Sequence, residues 1–217
     1  MKRWLAAIRL GVLCLLAVSA LSLIHELSAD RRSKAKQALL RATLSSVLPE
    51  GMRKGDLDDR LLELRANVLG SGNKRVWRVV QAGQAVALVL EASTDDGYNG
   101  RIEALIGIRL PSATHAHSEV LAVRVTSHRE TPGLGDAIEH ERSDWIDQFA
   151  GKSLLAPTPD QWRTERDGGA FDTLAGATVS SRALIELTAR VLRFVDQHAD
   201  DLRNAESGSR REYVDAE

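Results

Sequence analysis

The apolar positions of this chain change their spacing three times, and each change marks a different kind of element. Leu5 to Ile24 is apolar except for Arg9, Ser19 and Ser22, and about 20 such residues are needed for a helix to cross a bilayer core. Lys34 to Leu48 is rich in helix formers and ends at the breakers Pro49-Glu50-Gly51. Leu57, Leu61, Leu64 and Val68 then recur at helical spacing and predict a second helix. After the turn Ser71-Gly72-Asn73 the pattern becomes strand-like. Val76–Val80 and Ala85–Leu90 flank Gly83 and read as a hairpin. Arg101–Leu110 and Glu119–Thr126 read as further strands, and Asp144–Phe149 as a short helix. Ser181–His198 is the clearest helix, with Leu184, Leu187, Val191 and Val195 on one stripe. From Asp200 onward the chain is polar and charged and reads as a fraying tail.

The pattern predicts an α+β chain: a single N-terminal transmembrane helix, then a mostly antiparallel sheet packed on helices. The expected divisions are a membrane anchor over 1–25, a helical linker region over 26–72, a folded domain over 73–199 and a flexible polar tail over 200–217. The anchor has a competing reading. Val18-Ser19-Ala20 resembles a small-residue cleavage site, so a removed signal peptide is also open. Either reading carries the rest of the chain across the membrane.

Composition narrows the chemistry. The 217 residues are 43% hydrophobic and 27% charged, with a net charge of −1. No strong basic field exists to attract nucleic acid. The sole cysteine, Cys14, lies in the apolar N-terminal run, which excludes an intrachain disulfide and a thiolate cluster. No Gly-x-Gly-x-x-Gly loop follows a strand, so a dinucleotide site of that type is not indicated.

Two loops carry candidate chemistry. Asp172-Thr173-Leu174-Ala175-Gly176-Ala177-Thr178 leads into the strong helix. Small residues allow close backbone approach, and a helix N-terminus favours an anion such as phosphate. Thr178 puts a hydroxyl at that point. Thr178, Ser180 and Ser181 are equally good helix caps, so local physics leaves capping and phosphate binding both open. Glu130-Thr131-Pro132-Gly133-Leu134-Gly135 follows a strand and reads either as a surface turn or as a backbone shaped for close approach to a flat ring.

The first loop resembles the flavinylation motif of the FMN-binding domain family, an acidic residue and a hydroxyl residue followed by Gly-Ala-Thr. The Glu130–Gly135 segment and Gly97-Tyr98-Asn99-Gly100-Arg101-Ile102 resemble two further motifs of that family, in the same order. With the N-terminal apolar run added, the chain resembles the G subunits of the Rnf (Rsx) electron transport complexes. The flavin-bearing C subunits of sodium-translocating NADH:quinone reductases are related. The position before Gly176 is commonly Ser or Thr in the family, and here it is Ala175.

The resemblance implies a covalent FMN, joined by its phosphate to Thr178 by a flavin transferase. It implies cofactor contacts from Asp172, Thr173, Gly176 and Ala177, and a ring bordered by Glu130, Thr131, Leu134 and Gly135. The partners implied are the other subunits of an Rnf-type complex in the bacterial inner membrane, with the flavin domain on the periplasmic side. The protein would relay electrons without an independent catalytic turnover and without a metal. The alternative is a flavin-free, membrane-tethered assembly or regulatory module.

Overall fold

The computed structural model describes residues 41–52 and 61–213, together with Gly11 and Leu15. The chain divides into two compact units, Met1–Ala42 and Thr43–Glu217. Among the described residues no helix is long and apolar enough to cross a membrane. The expected anchor over 1–25 lies outside them, apart from Gly11 and Leu15, which are helical.

The second unit is built on one six-stranded sheet. Its strands are β1 (Leu61–Arg65), β2 (Lys74–Gln81), β3 (Gln84–Gly97), β4 (Gly100–Arg109), β5 (Glu119–Ser127) and β6 (Arg210–Glu212). Their order across the sheet is β5-β4-β3-β2-β1-β6. Neighbours are antiparallel except β1 and β6, which are parallel. Helix α1 (Thr178–Gln197) is followed by the short α2 (Ala199–Asn204).

The hairpin expected at Gly83 is present. Gln81 pairs with Gln84, and Ala82 and Gly83 both have positive φ, 49° and 81°. This is the turn whose twist suits a two-residue hairpin. Register then places the core. Val76, Leu90, Ile106 and Val123 lie in one cross-strand row, and Leu88, Ile108 and Val120 in another. All are buried in one cluster with Leu184, Leu187, Val191 and Val195 of α1. Side chains alternate along a strand, so Trp77, Val89 and Leu105 point to the other face, and they too are buried. Leu44, Val47 and Leu48 are buried too, with Val47 against Gly107 of β4. A Cβ at Gly107 would stand 2.4 Å from the Val47 carbonyl oxygen, so this glycine admits the backbone of the 43–48 segment.

Two expectations are corrected. Leu61–Arg65 is a strand and Asn67–Leu69 a single 3-10 turn, where the leucine spacing indicated a helix. Leu62 and Leu64 are buried while Arg65 is exposed, a period of two imposed by pairing with the edge of β2. Residues 57–60 of that expected helix lie outside the described residues. The tail is also ordered through Tyr213. Arg210–Glu212 joins the sheet beside β1, with Arg210 paired to Glu63 and Arg211 to Asp201. Tyr213 packs edge-on to Phe194 at 5.1 Å.

Gly107→Ala forces either Val47 or the sheet to move, and overpacking of this kind costs about 1–3 kcal/mol. Chemical unfolding of the full chain in neutral detergent is expected to show that loss. An unchanged midpoint contradicts the packing of the 43–48 segment on this face.

Candidate functional site

Three loops meet at the N-terminus of α1: the β3–β4 turn, the Glu130–Gly135 loop and the 172–177 loop. Glu130 is the point of contact. It is 5% exposed, and its Oε2 accepts the Ser180 hydroxyl at 2.7 Å while Oε1 accepts the Asn99 amide at 3.3 Å. Gly97 and Gly135 make room for it. A Cβ on Gly97 would lie 2.7 Å from Oε1, and one on Gly135 would lie 2.8 Å from the Glu130 Cβ. The Glu130 amide donates to His128 Nδ1 at 3.0 Å. His128 Nε2 therefore carries the proton that it shares with Glu139 Oε1, 2.7 Å away.

The rest of that loop is wound around one carbonyl. The oxygen of Thr131 accepts the amides of Leu134, Gly135 and Asp136. The Thr131 hydroxyl accepts the Asn99 side-chain amide at 3.3 Å. Gly133 sits at φ 79° and donates its amide to Asp136 Oδ1 at 2.8 Å. Leu134 is left 49% exposed.

The 172–177 loop is anchored at both ends. The Asp172 amide donates to Gln148 Oε1 and its carbonyl accepts the Trp145 indole N–H, each at 2.8 Å. At the other end the Leu174 amide donates to Ser181 Oγ at 3.1 Å, and Ser181 Oγ donates to the Ala177 carbonyl at 3.0 Å. Between them Gly176 has φ 77°, and a Cβ there would lie 3.0 Å from Leu134 Cδ2, so the two candidate loops touch. The Thr173 hydroxyl is buried without a hydrogen-bond partner.

Helix α1 begins without a side-chain cap. Its N-cap is Ala177, and Thr178 is the first helical residue, half-buried. The capping expected of Thr178, Ser180 or Ser181 is therefore not what these hydroxyls do: Ser180 goes to Glu130 and Ser181 to the Ala177 carbonyl. Among the described residues the Thr178 hydroxyl has no hydrogen bond, and the amides of Thr178, Val179 and Ser180 precede the first helical bond. Tyr98, Leu134 and Val179, one on each converging segment, are exposed large apolar side chains. The site is a polar helix end rimmed by apolar surface.

A clamp steadies the first turns of α1. Arg182 donates two bonds of 2.6 Å to Asp167, which also accepts the Thr164 hydroxyl at 2.6 Å. Arg182 first, and Thr164 second, hold the Asp167 carboxyl down at about 2. Asn99, His128, Gln148 and Asp167 were not singled out in the sequence, and Ser180 was read only as a helix cap. Only Asn99 stood in a recognised motif.

The family model described as FMN-binding domain matches residues 97–193, from the β3–β4 turn through most of α1. The G subunit of an ion-translocating oxidoreductase complex from Pseudomonas aeruginosa is 36% identical over 208 residues, 95% of this chain and 94% of the relative. The corresponding G subunit of Shewanella oneidensis is 33% identical over 195 residues, 89% of each chain. That of Cronobacter sakazakii is 40% identical over 144 residues, 66% of each. The chain belongs to the G-subunit family of ion-translocating oxidoreductase complexes. This is the Rnf-type family whose motifs the sequence resembles, and the matched domain contains the whole of the site built above.

Two outcomes follow for this family member. Glu130→Ala leaves the buried Ser180 hydroxyl unpaired and releases the Asn99 amide, a cost of about 1–3 kcal/mol. Hydrogen exchange at Asn99 is expected to accelerate together with a lower unfolding midpoint. Asp167 has a folded-state value below its unfolded one, so its clamp is complete above about 4 and is lost as pH falls through about 2. A carbon-detected titration is expected to show a midpoint near the lower value, moving toward about 4 in Arg182→Ala.

Proposed function

We propose that this protein carries FMN as a phosphodiester on Thr178 Oγ1 and relays electrons within an Rnf-type complex. The observation that carries the reading is the uncapped start of α1, where an unengaged hydroxyl and unpaired amides share one point. The residues fit the group. A phosphodiester anion at a helix N-terminus gains about 0.3–1 kcal/mol, too little for retention, so the covalent bond is the decisive term. In attachment, Thr178 Oγ1 bonds to the flavin-side phosphorus of FAD, the pyrophosphate bond breaks, AMP leaves and the hydroxyl proton is released. A flavin transferase performs that step.

FMN supplies chemistry no side chain has: it takes up an electron pair and passes electrons on singly. The chain's own residues bind and orient. Leu134, Val179 and Tyr98 offer apolar faces to a flat ring, and Gly135 and Gly176 keep the backbone close. The buried Thr173 hydroxyl, within the motif loop, has unused hydrogen-bond capacity. Asp172 and Ala177 set the loop ends through their backbone groups. Glu130 and Thr131 act from behind, as struts that fix Ser180 and Asn99. Ala175 is exposed and its methyl group supplies no hydrogen bond. No residue here is asked to act as a general acid or base.

The relatives are named as subunits of an ion-translocating complex, which supports membrane association for this chain. The proposed placement is the bacterial inner membrane, single-pass through a retained 1–25 anchor, with the flavin domain on the periplasmic side. The partners are the other subunits of the complex.

The test is denaturing electrophoresis of chain co-produced with the transferase and exported. The native chain and Thr178→Ser are expected to give an ultraviolet-fluorescent band, and Thr178→Val none. A dark native band under those conditions contradicts the reading and favours a flavin-free assembly module.

A further inference from the structure

At the opposite end of the sheet from the β3–β4 turn lies a cavity of about 650 Å³, bordered by the start of β3, the end of β4, the loop 111–115 and Arg203 of α2. Helix α1 has 20 residues, so its C-terminal end, after which α2 brings Arg203 to the cavity, is roughly 30 Å from Thr178 at 1.5 Å per residue. The volume is that of a small-molecule site. None of its lining residues is acidic, and two are arginines.

Arg109 is the unusual member. Among the described residues its side chain makes one hydrogen bond, from Nη1 to His115 Nε2, at 3.1 Å. Its Nε is buried with no partner. Glu119 lies opposite it in the β4–β5 register, yet no ion pair forms between them. Because His115 Nε2 accepts from Arg109, Nδ1 carries the ring proton and donates it to Thr114 Oγ1 at 3.0 Å. Arg109 thus spends its one bond on a neutral ring. A half-buried guanidinium without a carboxylate is costly unless an anion completes it. Arg203 is differently placed, donating to the Pro111 carbonyl and to the exposed Asp200.

We propose that this cavity is a phosphate-class oxyanion site, with Arg109 as its principal donor. The guanidinium fork matches two oxygens of a phosphoryl group. The exposed Ser112 and Thr114 hydroxyls line the same cavity and can add hydrogen bonds to such an anion. Ala85, Val86 and Leu110 form an apolar wall beside it. The phosphoryl group has two sources of the same chemistry, a free phosphate or the headgroup of an anionic lipid. The site is independent of flavin attachment.

Calorimetric titration of the full chain in neutral detergent tests this, with inorganic phosphate and dihexanoyl phosphatidic acid as probes. One saturable site is expected, weakened at least about tenfold by Arg109→Gln, as for loss of a charge-assisted pair. Thr114→Glu, at an exposed position, is expected to weaken it similarly by charge, which keeps the test valid if Arg109→Gln fails to fold. Comparable binding of both probes assigns free phosphate, and clearly tighter phosphatidic acid assigns a lipid headgroup. No binding of either probe up to millimolar concentration, or binding equal in the native chain and the variants, overturns the proposal.

Discussion

Glu130 is an acidic side chain taken almost wholly out of water, and the loops around the helix start are arranged to make that tolerable. Ser180 and Asn99 satisfy its oxygens, and Gly97 and Gly135 leave the space it fills. These partners come from different segments. The carboxyl group therefore fixes the β3–β4 turn, the Thr131 loop and the first turn of α1 relative to one another. A buried group that loses its partners costs more than the bonds themselves return, so the three segments hold together or separate as a unit.

That constraint leaves α1 with an open end. Ser180 is drawn inward to Glu130 and Ser181 to the Ala177 carbonyl, so neither hydroxyl caps the helix. Ala177 has no side-chain oxygen to offer. What remains at the surface is Thr178, beside unpaired amides and between exposed apolar side chains. The Asp167–Arg182 clamp stiffens the same turn from the other side. The covalent flavin reading rests on this combination together with the family to which the chain belongs.

Much of this was legible in the sequence. Strands β2 to β5 and the body of α1 were legible from their apolar residues: β3 and β4 are apolar runs buried on both faces, and α1 buries one broad stripe. The Asp172–Thr178 and Glu130–Gly135 loops lie side by side, with Gly176 against Leu134. What the sequence did not reveal depends on distant partners. Leu61 and Leu64 sit at helical spacing, but the open edge of β2 recruits them as a strand. Arg210–Glu212 is charged throughout, and only backbone pairing with β1 and its ion pairs order it. Glu130 read as a neighbour of a ring, whereas its side chain turns inward to Ser180. Burial of an acidic residue follows from a tertiary contact spanning 50 residues, which no local pattern encodes.

The flavin proposed for the open helix end would sit on one particular hydroxyl, that of Thr178. The most direct measurement is mass spectrometry of the chain purified from its own membranes, first intact and then as proteolytic peptides. A single flavin mononucleotide phosphoester is expected, located on the peptide containing Thr178 and on that residue in its fragment ions. An unmodified Thr178 peptide, or the flavin on another residue, would contradict it.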